Sequence, residues 1–389
     1  VWQKKVNMVL GIEYNPDNLS LGRKLKMVSW PLLLILCVLA GVGFCMLFSA
    51  GNGDWQPWAS RQLTRFIFGV AVLILIAVTD IRIWLRYSYF IYFLSLALLI
   101  AVELKGVIGM GAQRWIDLKF VQLQPSEIMK IAMVLALARY FHGITLSEIK
   151  SIRWLLTPVL LIAIPVGLVL RQPDLGTAIM LCLTALVVFF LAGVRLWKFL
   201  LAGLTALVFL PVAWSLLHQY QKRRILTFLD PESDPLGAGY HIIQSKIALG
   251  SGGIFGKGLL AGTQSHLSFL PEKQTDFIFT MFAEEFGLVG SLALLALYTL
   301  LIGYGLFISY RIRNQFGRLV CAGIMGVLFF YAFINMAMVM GLIPVVGVPL
   351  PLISYGGTSM LSLMIGFGFL MSAHVHRDVQ ISRRSDFID

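Results

Sequence analysis

Apolar residues run through this chain in long blocks. They show neither the alternation of a half-buried strand nor the narrow stripe of a soluble helix. A helix needs about 20 residues to cross a bilayer. About ten blocks reach that length or come near it: Val28–Ala50, Gln62–Ile81, Leu85–Val102, Ser126–Phe141, Arg153–Leu170, Leu175–Gly193, Leu196–Leu217, Phe279–Tyr310, Gly317–Leu342 and Leu352–Ala373. The fourth is short and charged at its start, and the seventh follows the sixth after a very tight turn. Three polar stretches stand between blocks: Glu103–Pro125, His218–Asp276 and the proline-rich Pro344–Pro351. The pattern predicts an all-α polytopic membrane protein of about ten transmembrane helices, with a large loop between helices seven and eight. The helical domain covers 28–375, flanked by an arm at 1–27 and a tail at 376–389. Neither an internal repeat nor a separate soluble domain is legible.

Composition agrees. Of 389 residues, 58% are hydrophobic and 13% charged, against about 25% charged in soluble domains. Mean hydropathy is +0.84. The net charge of +12 does not point to nucleic acid, because the basic residues fall in short clusters between apolar blocks, where they set topology. Lys4, Lys5, Arg23, Lys24 and Lys26 share one side with Arg82, Arg86, Arg139, Lys150, Arg153, Arg195, Lys198, Arg311, Arg313, Arg318, Arg377, Arg383 and Arg384. They outnumber the basic residues of the short opposite loops, so both termini are expected in the cytoplasm and the three polar stretches outside. The mixed, basic first 27 residues are not expected to be a cleavable signal. Cys37, Cys45, Cys182 and Cys321 lie far apart in apolar blocks, without metal spacing, and read as buried free thiols.

The large loop has structure of its own. Ile242-Ile243-Gln244-Ser245-Lys246-Ile247-Ala248-Leu249 reads as an amphipathic helix, followed by a glycine-rich turn at Gly250–Gly258. Such a helix either lies in the interface plane or packs over the mouth of the bundle.

Charges inside apolar blocks cost several kcal/mol (about 2.5–3.5 in insertion experiments) unless paired or wet. Glu127 and Lys130 are three apart near the start of the fourth block, behind Pro125, and so share a helix face. They pair with each other or with a ligand. Arg114, beside Trp115, suits phosphate binding or simple snorkelling at the aromatic belt. Asp174 reads as the cap of the sixth helix. Ser354-Tyr355-Gly356-Gly357-Thr358-Ser359 permits close packing or an exposed backbone. Asp276 lies where the large loop re-enters an apolar block, half in water and half against hydrocarbon. Thr275 or Asp276 would also serve as an N-cap there. Glu272 and Lys273 crowd the same turn, and Glu284 and Glu285 follow two turns on, placed to bind a cation or to pair inside the bundle. Gly252-Gly253-Ile254-Phe255-Gly256-Lys257-Gly258 is not a P-loop, and the six histidines lack ligand spacing, so no metal site is expected.

These stretches together resemble the SEDS family (shape, elongation, division, sporulation), most closely its elongation members. The similarity is carried by Gly111-Ala112-Gln113-Arg114-Trp115, Gln124-Pro125-Ser126-Glu127-Ile128-Met129-Lys130, Gln172-Pro173-Asp174-Leu175-Gly176-Thr177, Asp234-Pro235-Leu236-Gly237-Ala238-Gly239-Tyr240-His241, Phe269–Phe277 and Gly347–Gly357. The loop segment Gly262–Leu270 is similar to the elongation type. The resemblance implies a ten-helix peptidoglycan glycosyltransferase of the bacterial inner membrane. It would polymerise lipid II into glycan strands on the periplasmic face during cell elongation. The family's essential acid falls on Asp276 and its mutation-sensitive pair on Glu127 and Lys130. A class B penicillin-binding protein, supplying transpeptidation, and other elongation-complex membrane proteins are the implied partners.

Asp276 is then the expected general base, with Arg114, Glu127, Lys130, Glu272, Lys273 and Ser354 as expected substrate-binding residues. Lys130 and Arg114 are candidates to neutralise the pyrophosphate. The leaving group is already activated, so no cofactor is required. A divalent cation on the pyrophosphate is compatible with this chemistry, but no protein site for one is legible. The competing readings are a lipid II flippase, which would line both halves of a central pathway with polar groups, and a non-catalytic scaffold.

Overall fold

The computed structural model describes residues 20–109, 112–117, 122–217, 219–233, 238–263 and 272–382. Most of the amino-terminal arm, the end of the tail, Gly111, Asp234–Gly237 and Phe269–Pro271 lie outside the described residues. The same holds for most of the elongation-type loop segment.

A short helix, α1 (Leu21–Met27), precedes three long ones: α2 (Trp30–Ala50), α3 (Trp58–Val78) and α4 (Ile81–Lys105). The polar stretch that follows folds into a small antiparallel sheet, β1 (Val107–Gly109), β2 (Ala112–Asp117) and β3 (Gln122–Leu123), with Val107 opposite Trp115 and Ile116 opposite Leu123. Next come α5 (Pro125–Gly143), α6 (Leu146–Ile149), α7 (Leu156–Arg171) and α8 (Leu175–Ala192). An apolar helix then runs as α9 (Leu196–Val208) and α10 (Leu210–Leu216). The large loop contains α11 (Gln219–Leu229) and α12 (Ala238–Ser251), and α13 (Ile278–Arg311), α14 (Gln315–Val339) and α15 (Gly357–Val375) complete the chain.

Local chemistry sets several of these boundaries. Pro125 occupies the first turn of α5, where its missing N–H costs nothing. The Asp174 carboxylate accepts from Thr177 N at 3.1 Å and caps α8 as expected. Asn314 Oδ1 accepts from Gly317 N at 2.7 Å and starts α14. Pro211 in the first turn of α10 interrupts the backbone ladder from α9.

Among the described residues, eight helices are long and apolar enough to cross a membrane. The remaining two of the expected ten are α5, whose length suffices but which carries Glu127, Lys130 and Arg139, and α9 with α10. In α14 and α15, 83% of the span is enclosed by protein, against 22% in α7, so α14 and α15 are central and α7 is peripheral. The central pair packs against α3, α5, α8 and α13. Exposed side chains such as Leu34, Phe68, Phe90 and Leu204 make the outer surface apolar, as a lipid-facing surface requires.

Three features depart from expectation. The side chains of α9 are exposed throughout apart from half-buried Phe199 and buried Lys198. Lys198 Nζ donates to the carbonyls of Ile149, Lys150 and Ser151 at 3.0–3.4 Å and ties one end of α9 to the carboxyl end of α6. Cys37, Cys45 and Cys182 are exposed, and only Cys321 is buried, because the apolar blocks that hold the first three present them to the lipid side. Finally, α13 is broken at Gly287, whose φ of 66° and ψ of −161° lie outside the helical region. The glycine-rich turn docks into that break. Lys257 N and Gly258 N donate to Glu284 O and Glu285 O at 3.1 and 2.9 Å, while Leu288 N and Val289 N donate to Gly253 O and Ile254 O at 3.0 Å. A Cβ at position 287 would collide with Gly256 and Ile254, so close approach and positive φ both require glycine.

Candidate active site

The large loop ends in a tight turn, Glu272–Phe277, closed by its own residues. Thr275 N donates to Glu272 O at 3.0 Å and Thr275 Oγ1 to Glu272 Oε2 at 2.7 Å. Glu272 takes φ +59°, a left-handed conformation unusual for a residue with a Cβ and common at functional turns. The residue preceding α13 is Phe277, which makes no side-chain cap. Neither Thr275 nor Asp276 caps this helix; Thr275 turns back to Glu272.

Three consecutive carbonyls of the turn are held from the central helices. Gln274 O accepts from Tyr355 N at 2.8 Å, Thr275 O from Ser354 Oγ at 2.6 Å, and Asp276 O from Asn335 Nδ2 at 2.9 Å. The clamps are held in turn. Ser354 Oγ accepts from Leu350 N at 2.7 Å, Asn335 Nδ2 also donates to Val348 O at 2.7 Å, and Gln62 Nε2 donates to Ser354 O at 2.9 Å. Backbone freedom at position 276 is therefore removed, while its carboxylate extends from the turn toward Gly347.

Gly347 has φ +77°, and a Cβ there would lie 3.3 Å from Asp276 Oδ2, in contact with the carboxylate. Burial raises the Asp276 carboxyl to about 6, and the Glu272 carboxylate adds to the rise; Arg224 on α11 and Arg114 on β2 oppose it. Arg224 Nη1 also donates to Val345 O at 3.5 Å, which holds α11 against the proline-rich turn. The large loop, the hairpin and the Pro344–Pro351 turn thus converge on one half-buried acid within the electrostatic reach of Arg224 and Arg114.

The other expected site residues divide. Arg114 lies near the acid but is shared: Nη2 donates to Pro173 O at 3.0 Å, and Nε lies 3.4 Å from Asp174 Oδ2. Glu127 and Lys130 form the expected pair, with Lys130 Nζ 2.7 Å from Glu127 Oε1. Tyr331 OH, within hydrogen-bonding reach of both, donates to Glu127 Oε2 and accepts from Lys130. Their side chains are only 6% and 3% exposed and are turned to each other and to Tyr331, a geometry that supports an internal, helix-holding role. Ser354 is likewise turned inward: its hydroxyl donates to Thr275 O and accepts from Leu350 N, and the residue is buried. Lys273 is buried, turned toward Glu285, and its ammonium is lowered by burial against the pull of that carboxylate. Glu272 remains beside Asp276.

Glu284 and Glu285 each have a protein partner inside the bundle. Lys257 Nζ meets Glu284 Oε1 at 2.8 Å, and Ser49 Oγ donates to Glu285 Oε1 at 2.5 Å. The predicted amphipathic helix exists as α12 and packs inward. Ile242, Ser245 and Ala248 are buried, and Ser245 Oγ reaches Thr280 Oγ1 and Val339 O at 2.8 Å. Gln62, Arg224, Tyr331 and Asn335 were missed from sequence. Three of these are polar groups inside apolar blocks, where expense is itself a signal; Arg224 sits in the large polar loop, where a basic residue is ordinary. Among the described residues, no three His, Cys, Asp or Glu side chains are grouped to hold a metal.

Residues 26–379 match the family described as cell cycle protein, FtsW, RodA and SpoVE. The chain is 46% identical over 366 residues to the peptidoglycan glycosyltransferase MrdB of Escherichia coli K12, covering 93% of this chain and 97% of that protein. Among solved structures it resembles a chain of a peptidoglycan synthase complex, described as coordinating polymerization and crosslinking. There the TM-score is 0.77 and the identity 33%, over 90% of this chain and 98% of that one. It also resembles the rod shape determining protein RodA of Thermus thermophilus, with TM-score 0.69 and 30% identity over 91% and 98% of the two chains.

Proposed function

This chain belongs to the FtsW, RodA and SpoVE family and is a peptidoglycan glycosyltransferase, and on that premise we propose that it polymerises lipid II at the outer membrane face with Asp276 as general base. The observation that carries the assignment of the base is the immobilised turn. Three carbonyls are clamped in succession, and the residue they present is a half-buried carboxylate between Arg224 and Arg114.

The acceptor sugar's 4-hydroxyl attacks the anomeric carbon of the donor. Its proton passes to the Asp276 carboxylate as the new C–O bond forms. The bond from the anomeric carbon to the diphosphate oxygen breaks, and its electron pair leaves with the undecaprenyl diphosphate. One displacement converts an α-linked donor into a β-linked product. An ordinary Asp, near 3.9, is a poor base toward an alcohol; raising it to about 6 narrows the gap, and a positioned base contributes about 10²–10⁴-fold. Arg224 and Arg114 face the acid and are the cations available to the departing diphosphate. No cofactor is needed, because the donor arrives activated.

Two lipid-borne sugars must meet while their tails stay in hydrocarbon. The exposed, sparsely attached α9 leaves a flank of the bundle open to lipid, and proximity there supplies much of the acceleration. The termini lie in the cytoplasm and the site in the periplasm. A class B penicillin-binding protein is the partner, a reading supported by the likeness to the synthase complex.

The test is purified protein with lipid II. Asp276→Asn is expected to fold and to lose polymer formation by about 10²-fold or more. Unchanged polymerisation would remove Asp276 from the reaction. Transbilayer movement of lipid II without polymer would favour the flippase reading.

A further inference from the structure

The buried Glu127–Lys130 pair lies one helical turn from the groups that hold the base. Tyr331 and Asn335 are four apart on α14, so they share a face. Tyr331 closes the ion pair from α5: its hydroxyl bonds both Glu127 and Lys130, and Lys130 Nζ lies 4.3 Å from its ring centroid. Ser362 Oγ on α15 donates to Glu127 Oε2 at 3.4 Å. One turn outward, Asn335 is 0% exposed and uses both amide hydrogens, one on Asp276 O and one on Val348 O. A single side chain therefore ties the peptide of the acid to the turn that carries Gly347, the residue against the Asp276 carboxylate.

Buried polar groups of this kind are expensive unless fully used. The Glu127 and Lys130 side chains are 6% and 3% exposed and are bonded to each other and to Tyr331, an arrangement that suits holding helices together. What it does is fix the axial position and rotation of α14 against α5 and α15. Asn335 converts that fixed position into a fixed position for the acid.

We infer that Tyr331 and Asn335 are positioning residues, through which the Glu127–Lys130 pair sets the placement of the Asp276 carboxylate against the Gly347 turn. This rests on Asp276 being the base. The charged groups facing that carboxylate are Glu272 on its own turn, Arg224 on α11 and Arg114 on β2; neither Tyr331 nor Asn335 adds a charge, so their loss acts through geometry alone.

The experiment uses full-length protein, lipid II, and the pH dependence of kcat and KM for Asn335→Leu, Tyr331→Phe, Asn335→Gln and Asp276→Asn. Thermal unfolding and chromatographic behaviour are followed in parallel. Asn335→Leu keeps the shape and removes both donors. It is expected to lower kcat by about 10²-fold, the cost of a roughly 1 Å misplacement, with KM within a few-fold. The acid limb should fall from about 6 toward the ordinary carboxylate range, because a released carboxylate reaches water. Tyr331→Phe should move both quantities in the same direction by less, and Asn335→Gln, which keeps the donor, should recover part of kcat. If Asn335→Leu does not accumulate, Tyr331→Phe carries the same two readouts. Wild-type kcat in both variants, or a loss of kcat with the acid limb unmoved, would overturn the inference. Activity surviving in Asp276→Asn would instead overturn the assignment of the base, a result separate from normal turnover by Asn335→Leu.

Discussion

At the scale of the residue, Asp276 is a carboxylate made basic by its surroundings. Burial and Glu272 raise it to about 6, and Arg224 and Arg114 hold it from rising further. A general base acts in its ionised form, so on the proposal that Asp276 is the base turnover should fall as pH drops through about 6. Glu272→Gln removes a like charge and should move that limb to lower pH; Arg224→Gln removes an opposite charge and should move it higher. Initial rates of polymerisation between pH 5 and 8 would show both, and a limb indifferent to both variants would mean that another group titrates. Stability runs the other way. An acid raised in the folded state contributes stability that is complete below about 4 and is lost as pH rises through about 6. Asp276→Asn should therefore stabilise the protein near pH 7.5, by up to about 3 kcal/mol for a two-unit shift, measurable as a higher unfolding midpoint in detergent. The candidate acid itself was legible, because a carboxylate at a loop-to-helix boundary is placed by the hydrophobic pattern. The accessibility of Lys130 was not. Spacing of three puts Glu127 and Lys130 on one face, but whether that face meets water or another helix depends on Tyr331, 201 residues away.

At the scale of the element, helices were readable and their interruptions were not. Blocks such as Leu175–Gly193 and Arg153–Leu170 match α8 and α7 closely, since lipid demands uninterrupted backbone pairing. The last block began at Leu352, whereas α15 begins at Gly357, because Leu350–Tyr355 is spent on holding the site turn. The break in α13 was invisible. Glu284-Glu285-Phe286-Gly287-Leu288 continues an apolar helix without a proline, and the distortion is stabilised by a loop some 30 residues earlier. Buried Glu284 meets Lys257 from that loop. Glu284 is fully buried and Lys257 is not, and stranding a buried charge costs about 3–5 kcal/mol, so Lys257→Met should lower the unfolding midpoint substantially and Glu284→Gln by less. Lys257→Met in the Glu284→Gln background should cost less than in wild type. Purely additive losses would mean that the two residues act independently.

The whole molecule is a bundle whose enclosed helices, α14 and α15, carry the polar scaffold, while its outer helices meet lipid. Its broad plan follows from composition and from the clustering of basic residues. What composition hides is that the hairpin, the large loop and the proline-rich turn come together, since sequence gives each its side of the membrane and not its neighbours. The sidedness is testable. In a background with Cys37, Cys45, Cys182 and Cys321 replaced, Asn52→Cys should react with an impermeant maleimide added to intact spheroplasts. Ser147→Cys should react only after lysis. The reverse pattern would invert the topology and place the candidate acid in the cytoplasm.

The interruption at Gly287 gives the carboxyl-terminal third of the molecule a joint. Ile278–Phe286 leads directly from the turn that presents Asp276, yet its far end is stitched by peptide hydrogen bonds to Gly253–Gly258 instead of running on as unbroken helix. The same turn also accepts from Leu288 N and Val289 N beyond the break, so it splints the two parts of the helix and joins both to the large loop that carries Asp276.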